Sequence, residues 1–342
     1  MKTVLALTVT AAWLVLASGG PAAAQSGACD RKCLEGFVDR YLDAVVRHDP
    51  KAVPLAANVR FTENGQRLAV GDGMWRSVKS KGIYRLFVSD VEAQQVAFIG
   101  TLHEQHNDPA KSNPVLVALR LKIADNRIAE IEQLVVRNPD AAMRVEQLGQ
   151  PRAQFLTAVP ESQRMSRADL IATANKYFSG MQQNDGKGDY PFADDCNRIE
   201  NGSLTTNQTP RNGEPRPDPA TATSYSGQWS CLEQFKSGLL HFVTRIRDRR
   251  YVAVDRERGL VFAFAFFDHS AGDTRNFTTP SGRSVSAGPV QPWTWEIAEL
   301  FKVENGKLGQ IEAVLDRSPY GMTSGWSSWE DGMSDRARDV TR

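Results

Sequence analysis

The sequence predicts an α+β protein built from two copies of one domain, each an antiparallel sheet preceded by helices. The first observation is a repeated hairpin pattern: LKIADNRIAEIEQLVVRNP occupies residues 121–139, and FKVENGKLGQIEAVLDRSP occupies residues 301–319. Matching positions are 180 residues apart, since 302 − 122 and 312 − 132 both give 180. The second observation is that helical patterns precede strand patterns in each copy. Because the repeat distance far exceeds solenoid periods, it indicates a tandem duplication of a whole domain.

The chain begins with a segment that is typical of a secretory signal peptide. Residues 1–24 contain Lys2, an apolar run and an Ala-Ala-Ala ending. A membrane anchor is the alternative, but the apolar run is short and a Gly-Gly-Pro sequence interrupts it. Cleavage near Ala24 predicts a secreted or periplasmic protein, and no later stretch is long and apolar enough to span a membrane.

The four cysteines fit an oxidising compartment, where disulfides persist. Three pairings are possible for four cysteines. We favour Cys29 with Cys33, and Cys196 with Cys231, because each pair then lies within one copy. No CxxC pair or neighbouring histidine completes a metal site, so we expect neither a metal nor a cofactor.

The first copy covers residues 29–140. Apolar residues at helical spacing in LEGFVDRYLDAVV predict a helix with Tyr41 on its buried face. VRFTENG predicts a short strand that carries Glu63 and ends in an Asn-Gly turn. GDGMWRSVK predicts another short helix, which carries Trp75. Three strand patterns follow, namely YRLFVSDVEA, QQVAFIGTLHE and the repeated hairpin.

The second copy covers residues 166–319 and repeats the residue types that could perform acid–base chemistry. A tyrosine recurs in the first helix, a glutamate recurs before Asn-Gly, and a histidine recurs at the end of a strand. The matched pairs are Tyr41 with Tyr177, Glu63 with Glu200, and His103 with His269. Each type also has a structural explanation, as a core aromatic, a turn-orienting carboxylate or an ion-pair partner.

Polar segments separate and extend the two copies. An insertion at residues 203–230 is rich in Thr, Asn, Pro and Gly, and it either covers a site or is a disordered excursion. A second insertion lies at residues 273–292. A linker at residues 141–165 joins the copies, and a tail at residues 320–342 follows the second copy.

The pattern RYLDAVVRHDPKAV followed by FTENG resembles the nuclear-transport-factor-2-like superfamily. Its SnoaL-like relatives include ketosteroid isomerases, scytalone dehydratases, polyketide cyclases and lyases that release formaldehyde from aromatic dimers. The ENG and final IE…R-P signatures in both halves are similar to those of tandem-domain members. The resemblance implies two tandem cone-shaped curved antiparallel sheets, each wrapped by N-terminal helices, that form an internal pseudo-dimer.

The resemblance also implies roles for the matched residues. In isomerases of this type the helix tyrosine donates a hydrogen bond to a developing oxyanion, and the strand carboxylate carries the proton. Their second oxyanion donor, a carboxylic acid kept protonated on a later strand, has no match, since the corresponding positions are near Val117 and Ile297. The histidine pair could act as acid or base near pH 7.

Several aromatic residues are candidates for substrate binding, although each is equally suited to the core. These are Trp75, Tyr84, Phe98, Trp293 and Trp295.

We therefore expect an exported, cofactor-independent lyase or isomerase that acts on a small hydrophobic molecule, either aromatic or polyketide-like. Elimination of formaldehyde or of water is among the expected reactions. The alternative is a non-catalytic exported module that binds a hydrophobic ligand or serves assembly, with homo-oligomers among the options. A formal net charge of +1 gives no indication of nucleic-acid binding. The sequence leaves open which copy is active. The second copy is slightly favoured, because it carries the insertion at residues 203–230 and the larger disulfide loop.

Overall fold

The computed structural model describes residues 28–210 and 213–340 and contains two large sheets with few helices. The predicted signal peptide, residues 1–24, lies outside the described residues. Both large sheets follow the same order of elements, so the prediction of a duplicated α+β domain is confirmed. Within the described ranges, no helix is long and apolar enough to cross a membrane.

The first unit is a six-stranded sheet covered by one long helix. Its strands lie in the order β2-β1-β6-β5-β4-β3, and all neighbours are antiparallel except β1 and β6, which are parallel. The predicted helix around Trp75 is only a single 3-10 turn, Gly73–Arg76, after which the chain enters β3. The elements are α1 (Arg31–Val46), β1 (Leu55–Glu63), β2 (Gln66–Arg67), β3 (Val78–Asp90), β4 (Gln95–Gln105), β5 (Ser112–Ala124) and β6 (Arg127–Val136).

The second unit has the same topology with additions. Its strand order is β15-β9-β10-β13-β14-β7-β8, in which β7 is parallel to β14, as β1 is to β6. The linker supplies α2 (Pro139–Leu148) and α3 (Ala153–Leu156). The remaining elements are α4 (Arg167–Met181), β7 (Phe192–Glu200), β8 (Ser203–Leu204), α5 (Cys231–Lys236), β9 (Arg245–Asp255), β10 (Leu260–His269), β11 (Asn276–Thr278), β12 (Ser284–Ser286), β13 (Trp293–Glu304), β14 (Lys307–Ser318), α6 (Trp329–Gly332) and β15 (Arg338–Asp339).

The repeated hairpin is formed by β5 and β6 in the first unit and by β13 and β14 in the second. Its turns lie at Asp125-Asn126 and Asn305-Gly306, and all four residues have positive φ. Two-residue turns of this kind match the twist of the flanking strands, and Asn, Asp and Gly tolerate the left-handed backbone conformation. The turn residues therefore fix the hairpin register in both copies.

Each unit has its own hydrophobic core, and a third cluster joins the two units. The buried face of α1 packs with Phe61 and Phe98 inside the first sheet, and α4 packs with Phe301 inside the second. The third cluster contains residues from the opposite faces of both sheets, such as Leu116 and Phe264. The two units thus bury apolar surface against each other.

Two of the polar contacts between the units come from matched hairpin positions. Glu132 of β6 accepts hydrogen bonds from both terminal nitrogens of Arg250, at 2.9 and 2.6 Å. Its counterpart Glu312 of β14 accepts a hydrogen bond from the Tyr84 hydroxyl at 2.8 Å. Burial raises the pKa of Glu312 to about 7, although the Tyr84 hydrogen bond opposes this. Each unit therefore reaches the other through the same strand position.

Both favoured disulfides, Cys29–Cys33 and Cys196–Cys231, are formed. Their presence indicates an extracellular or otherwise oxidising environment. The second bond links β7 to the start of α5 and so closes the segment that contains the first insertion.

The double substitution Cys196→Ser/Cys231→Ser should lower the free energy of unfolding by about 4 kcal/mol. The disulfide spans a sequence separation of 35 residues, and loop closure of this length removes considerable entropy from the unfolded chain. The Cys29–Cys33 pair, separated by 4 residues, provides the comparison, with an expected loss of about 2 kcal/mol. Urea unfolding followed by circular dichroism would measure both, and equal losses would contradict this account.

Candidate active site

The parallel pairing of the first and last strands places the candidate residues inside each unit. In the first unit Glu63 of β1 lies opposite Gln133 of β6. In the second unit Glu200 of β7 lies opposite Ala313 of β14. Because 313 − 133 equals the hairpin offset of 180, Ala313 corresponds to Gln133. The residue opposite the strand glutamate is therefore large in the first unit, where it is Gln133, and small in the second unit, where it is Ala313.

In the first unit these side chains form a closed hydrogen-bond network. The Tyr41 hydroxyl donates to Gln133 Oε1 at 2.8 Å, and Gln133 Nε2 donates to Glu63 Oε2 at 2.9 Å. Trp75 Nε1 donates to the Tyr41 hydroxyl at 3.2 Å. Arg137 Nη2 donates to Glu63 Oε1 at 2.7 Å. Since its members satisfy one another, the network stabilises the unit and leaves neither Tyr41 nor Glu63 free for acid–base work.

In the second unit the small side chain of Ala313 leaves a narrow cavity of about 30 Å³. A volume of this size accommodates one or two water molecules. The floor of the cavity is polar and most of its wall is apolar. The lining residues are Tyr177, Met181, Arg198, Glu200, Tyr225, Leu240, Phe242, Val243, Phe267, Trp295, Ile297, Glu299, Ala313 and Leu315.

Four polar side chains converge at the cavity. Arg198 Nη2 donates a hydrogen bond to Glu200, and Nη1 donates to Gln234 Oε1 at 2.5 Å. Tyr177 and Glu299 are buried, each 1% exposed, whereas the Glu200 side chain is 25% exposed. Within residues 28–210 and 213–340, Arg198 Nε and Glu299 Oε2 have no hydrogen-bond partner. Unpaired buried polar atoms are costly, so these two mark the cavity as a place for a polar ligand group.

Burial sets the protonation states of this cluster. It raises the pKa of Glu299 to about 8; the positive charge of Arg198 lowers that pKa and the negative charge of Glu200 raises it. Glu299 is therefore mostly a neutral carboxylic acid at pH 7. Burial also raises the pKa of Tyr177 well above its ordinary value, so its hydroxyl remains a neutral donor.

Glu299 is a residue that the sequence analysis missed. The expected position of the second acidic donor was Ile297, but the cavity is reached by Glu299, which follows two residues later on the same face of β13. Its counterpart in the first unit is Leu119, because 299 − 119 is 180. One signal could have identified Glu299. It is a glutamate within the apolar run of this strand, and the first copy has a leucine at the matching position.

A second difference between the units lies on the glutamate strand itself. Arg198 pairs with Ile311, and Phe61 pairs with Ile131, so Arg198 and Phe61 occupy equivalent positions. Phe61 is part of the first hydrophobic core, whereas Arg198 supplies the cation of the second cavity. The second unit therefore has both a buried cation and a cavity where the first unit has Phe61 and Gln133.

The proposed match between His103 and His269 is wrong. His269 lies opposite Trp293 in its sheet, and Glu104 lies opposite Asn113 in the other. Since 293 − 113 is 180, the counterpart of His269 is Glu104. A shift of one residue moves a strand side chain to the other face of the sheet, so the two histidines face different environments.

His103 faces away from the Tyr41 network. Its ring nitrogens contact Ser112 Oγ and Glu146 Oε1, each at 3.0 Å, and Glu146 belongs to α2. The structure therefore places His103 in a contact between the first sheet and the linker helix.

His269 lies inside the second unit but behind the cavity wall. Its ring stacks on Trp293, with centroids 4.0 Å apart, and contacts Trp295 edge-on at 5.0 Å. Neither ring nitrogen has a hydrogen-bond partner in the described part of the chain. Burial lowers the pKa of His269 to about 4, so the imidazole is neutral at pH 7.

The candidate substrate-binding aromatics are dispersed. Trp75 belongs to the first-unit network, Tyr84 contacts Glu312 between the units, and Phe98 lies in the first core. Trp295 lines the second-unit cavity, as do Tyr177 and Glu200 among the candidate acid–base residues. In the described ranges, no group of three or more His, Cys, Asp or Glu side chains could hold a metal ion.

One family model matches both units of the chain, at residues 28–135 and 163–315. Its description is a domain of unknown function, DUF8021. The chain belongs to the DUF8021 family. The matched segments contain the first-unit network except Arg137, and all the residues that line the second-unit cavity. No curated protein matches the sequence.

Solved structures give only distant likenesses to this DUF8021 protein. AclR, a putative hydroxylase from Streptomyces galilaeus, is 12% identical to this chain, with a TM-score of 0.26. The alignment covers 39% of this chain and 92% of the AclR chain. A de novo designed protein with a curved β-sheet is 16% identical, with a TM-score of 0.23, covering 44% of this chain and 88% of its own.

Glu299→Gln should flatten the pH dependence of stability between pH 5 and 7. In wild type the folded state retains a proton on Glu299 up to a pKa of about 8, whereas the unfolded chain loses it near 4.5. Between these values the free energy of unfolding falls as pH rises, by about 1.4 kcal/mol per pH unit for one such group. Glutamine removes this contribution, and urea unfolding at several pH values would measure the slope.

Glu161→Gln, at an exposed glutamate, is the control for this experiment and should leave the slope unchanged. Parallel stability curves for wild type and Glu299→Gln would show that Glu299 is not held protonated by the fold.

Proposed function

We propose that the second unit is the active site of a cofactor-independent lyase or isomerase that moves a proton on a small hydrophobic substrate. The observation that carries this proposal is the convergence of two neutral donors and one carboxylate in a single, mostly apolar cavity. Such groups suit a substrate that loses a proton and develops negative charge on an oxygen.

In this proposal Glu200 is the general base, and Tyr177 and Glu299 donate hydrogen bonds to the developing oxyanion. Arg198 orients the Glu200 side chain through the hydrogen bond that it donates. The proton passes from a substrate carbon to Glu200. Its return at another carbon completes an isomerisation, and its transfer to a departing β-hydroxyl completes the loss of water. For release of formaldehyde, Glu200 instead takes the proton of a hydroxymethyl O–H, the C–C bond breaks with its electron pair on the remaining carbon, and that carbon then takes the proton back from Glu200. Neutral donors are suited to this role because they stabilise new charge without repelling the base.

The charges of the cavity favour an uncharged substrate. Arg198 and Glu200 compensate each other, and Glu299 is neutral at pH 7. Trp295, Phe267 and the other apolar lining residues favour an aromatic or polyketide-like body over a polar one. The ligand oxygen would then lie beside the Tyr177 hydroxyl and the Glu299 carboxyl, whose Oε2 has no hydrogen-bond partner among the described residues.

The first unit would serve as a structural partner. The parallel pairing of β1 with β6, repeated by β7 with β14, supports the assignment of both units to the cone-shaped, SnoaL-like fold. The shared apolar cluster and the matched Glu132 and Glu312 contacts support their packing as an internal pseudo-dimer. The two disulfides support export, in line with the predicted signal peptide.

Tyr177→Phe should reduce kcat by about 10²- to 10³-fold, because it removes one oxyanion donor. The assay is turnover of neutral aryl ketones, phenolic aromatic dimers and small polyketides, with products followed by mass. A loss of about 30 mass units marks formaldehyde release, about 18 marks dehydration, and unchanged mass with altered absorbance marks isomerisation. Tyr41→Phe is the matched control in the first unit and should leave kcat unchanged.

Equal loss of activity in Tyr41→Phe and Tyr177→Phe would contradict the assignment to the second unit. Tight binding of these compounds without turnover would overturn catalysis and favour the non-catalytic binding module, which the largely apolar wall would also suit.

Ala313→Gln should abolish turnover while the protein remains folded. The new side chain would fill the cavity and bridge Tyr177 to Glu200, as Gln133 bridges Tyr41 to Glu63. Overpacking of this kind costs about 1–3 kcal/mol, which thermal unfolding would measure beside activity. Retained activity in a folded Ala313→Gln protein would show that the cavity is not the reaction site.

A further inference from the structure

A single buried amide connects the cavity to the first insertion. Gln234 of α5 is fully buried, and its Oε1 accepts the hydrogen bond from Arg198 Nη1 at 2.5 Å. Its Nε2 donates to the backbone carbonyl of Thr205 at 2.6 Å and to that of Ser226 at 2.8 Å. Thr205 and Ser226 stand near the two ends of the insertion. One side chain therefore binds the cavity cation and both ends of the inserted segment.

The residue before Ser226 is Tyr225, which lines the cavity. Its ring stacks on Phe242, with centroids 6.0 Å apart and planes 28° apart. Tyr225 is 39% exposed, so it forms the solvent side of the wall, opposite the buried floor.

The base of the insertion is held in place by further contacts. The backbone N–H of Asn207 donates to the Trp229 carbonyl, and that of Gln208 donates to the Gly227 carbonyl, both at 2.9 Å. Trp229 is fully buried and donates from Nε1 to the Pro217 carbonyl at 2.7 Å. These contacts fix the backbone from which Tyr225 projects.

We propose that Tyr225 determines which ligands the second-unit cavity admits, and that Gln234 is a positioning residue that holds Tyr225 at the cavity. The inference rests on one part of the proposed function, namely that the substrate binds in this cavity. With a volume of about 30 Å³, the cavity admits a ring only if Tyr225 and Phe242 move apart. A flat aromatic ring can then replace their stacking contact. Tyr225 therefore limits the size of the ring that the cavity admits.

The test measures binding of phenol and 2-naphthol to the full mature protein by calorimetry. Tyr225→Ala should weaken phenol binding about tenfold, because a stacking contact is lost, and should shift preference towards the larger 2-naphthol. Gln234→Glu retains the acceptor for Arg198 but loses the two N–H donors to Thr205 and Ser226. It should therefore produce the same shift in preference.

The double variant separates positioning from a merely structural role. If Gln234 acts through Tyr225, Gln234→Glu has no further effect on the affinity ratio in the Tyr225→Ala background. The same loss in both backgrounds would overturn the positioning role. Leu232→Ala, at an exposed site on the same helix, is the control and should change neither affinity.

Two further outcomes would overturn the inference. If Tyr225→Ala binds both probes as wild type does, Tyr225 does not select ligands, and this result stands even where Gln234→Glu fails to fold. If wild type binds neither probe, the cavity is not the site, and the proposed function fails with the inference. Because the readout is binding, an absence of turnover alone leaves the inference standing.

Discussion

The parallel pairing of the first and last strands is the constraint on which both units depend. It places the strand glutamate, the helix tyrosine and one hairpin residue on the inner face of each sheet. The turn residues of the hairpin fix which residue of the last strand occupies that place. Where the residue is Gln133 the three groups are joined by hydrogen bonds, and where it is Ala313 they enclose a cavity.

The two copies treat the same group of inner polar positions differently. In the first unit Tyr41, Gln133 and Glu63 are paired with one another, which removes the free-energy cost of leaving them unsatisfied. The second retains a carboxylic acid and a guanidinium nitrogen without partners, Glu299 Oε2 and Arg198 Nε, at the floor of its cavity. Such groups reduce stability, and a fold tolerates them where its remaining contacts are strong. The shared apolar cluster and the Glu132–Arg250 contact supply such support from the other unit.

Strand register explains which of the predicted site residues line the cavity and which do not. Tyr177 and Glu200 line it, and both were predicted because they recur with the repeated pattern. The histidine match failed because the sequence pattern put both histidines at the end of a strand. The ladders instead offset them by one residue, so their side chains lie on opposite faces of the two sheets. Glu299 was missed because a conversion from leucine to glutamate interrupts the similarity between the copies. Tyr225 lies in an insertion that has no counterpart, so no internal comparison could identify it.

The sequence by itself determined the duplication, the hairpins and the α+β class, and it favoured the two disulfide pairs that the structure contains. These follow from local turn chemistry, from periodicity and from the proximity of cysteines within each copy. Only the tertiary structure decided which copy has room for a ligand. That outcome depends on whether Gln133 or Ala313 fills one position, and on burial that keeps Glu299 protonated. Volume and desolvation arise from residues distant in sequence, so they exist only once the chain has folded.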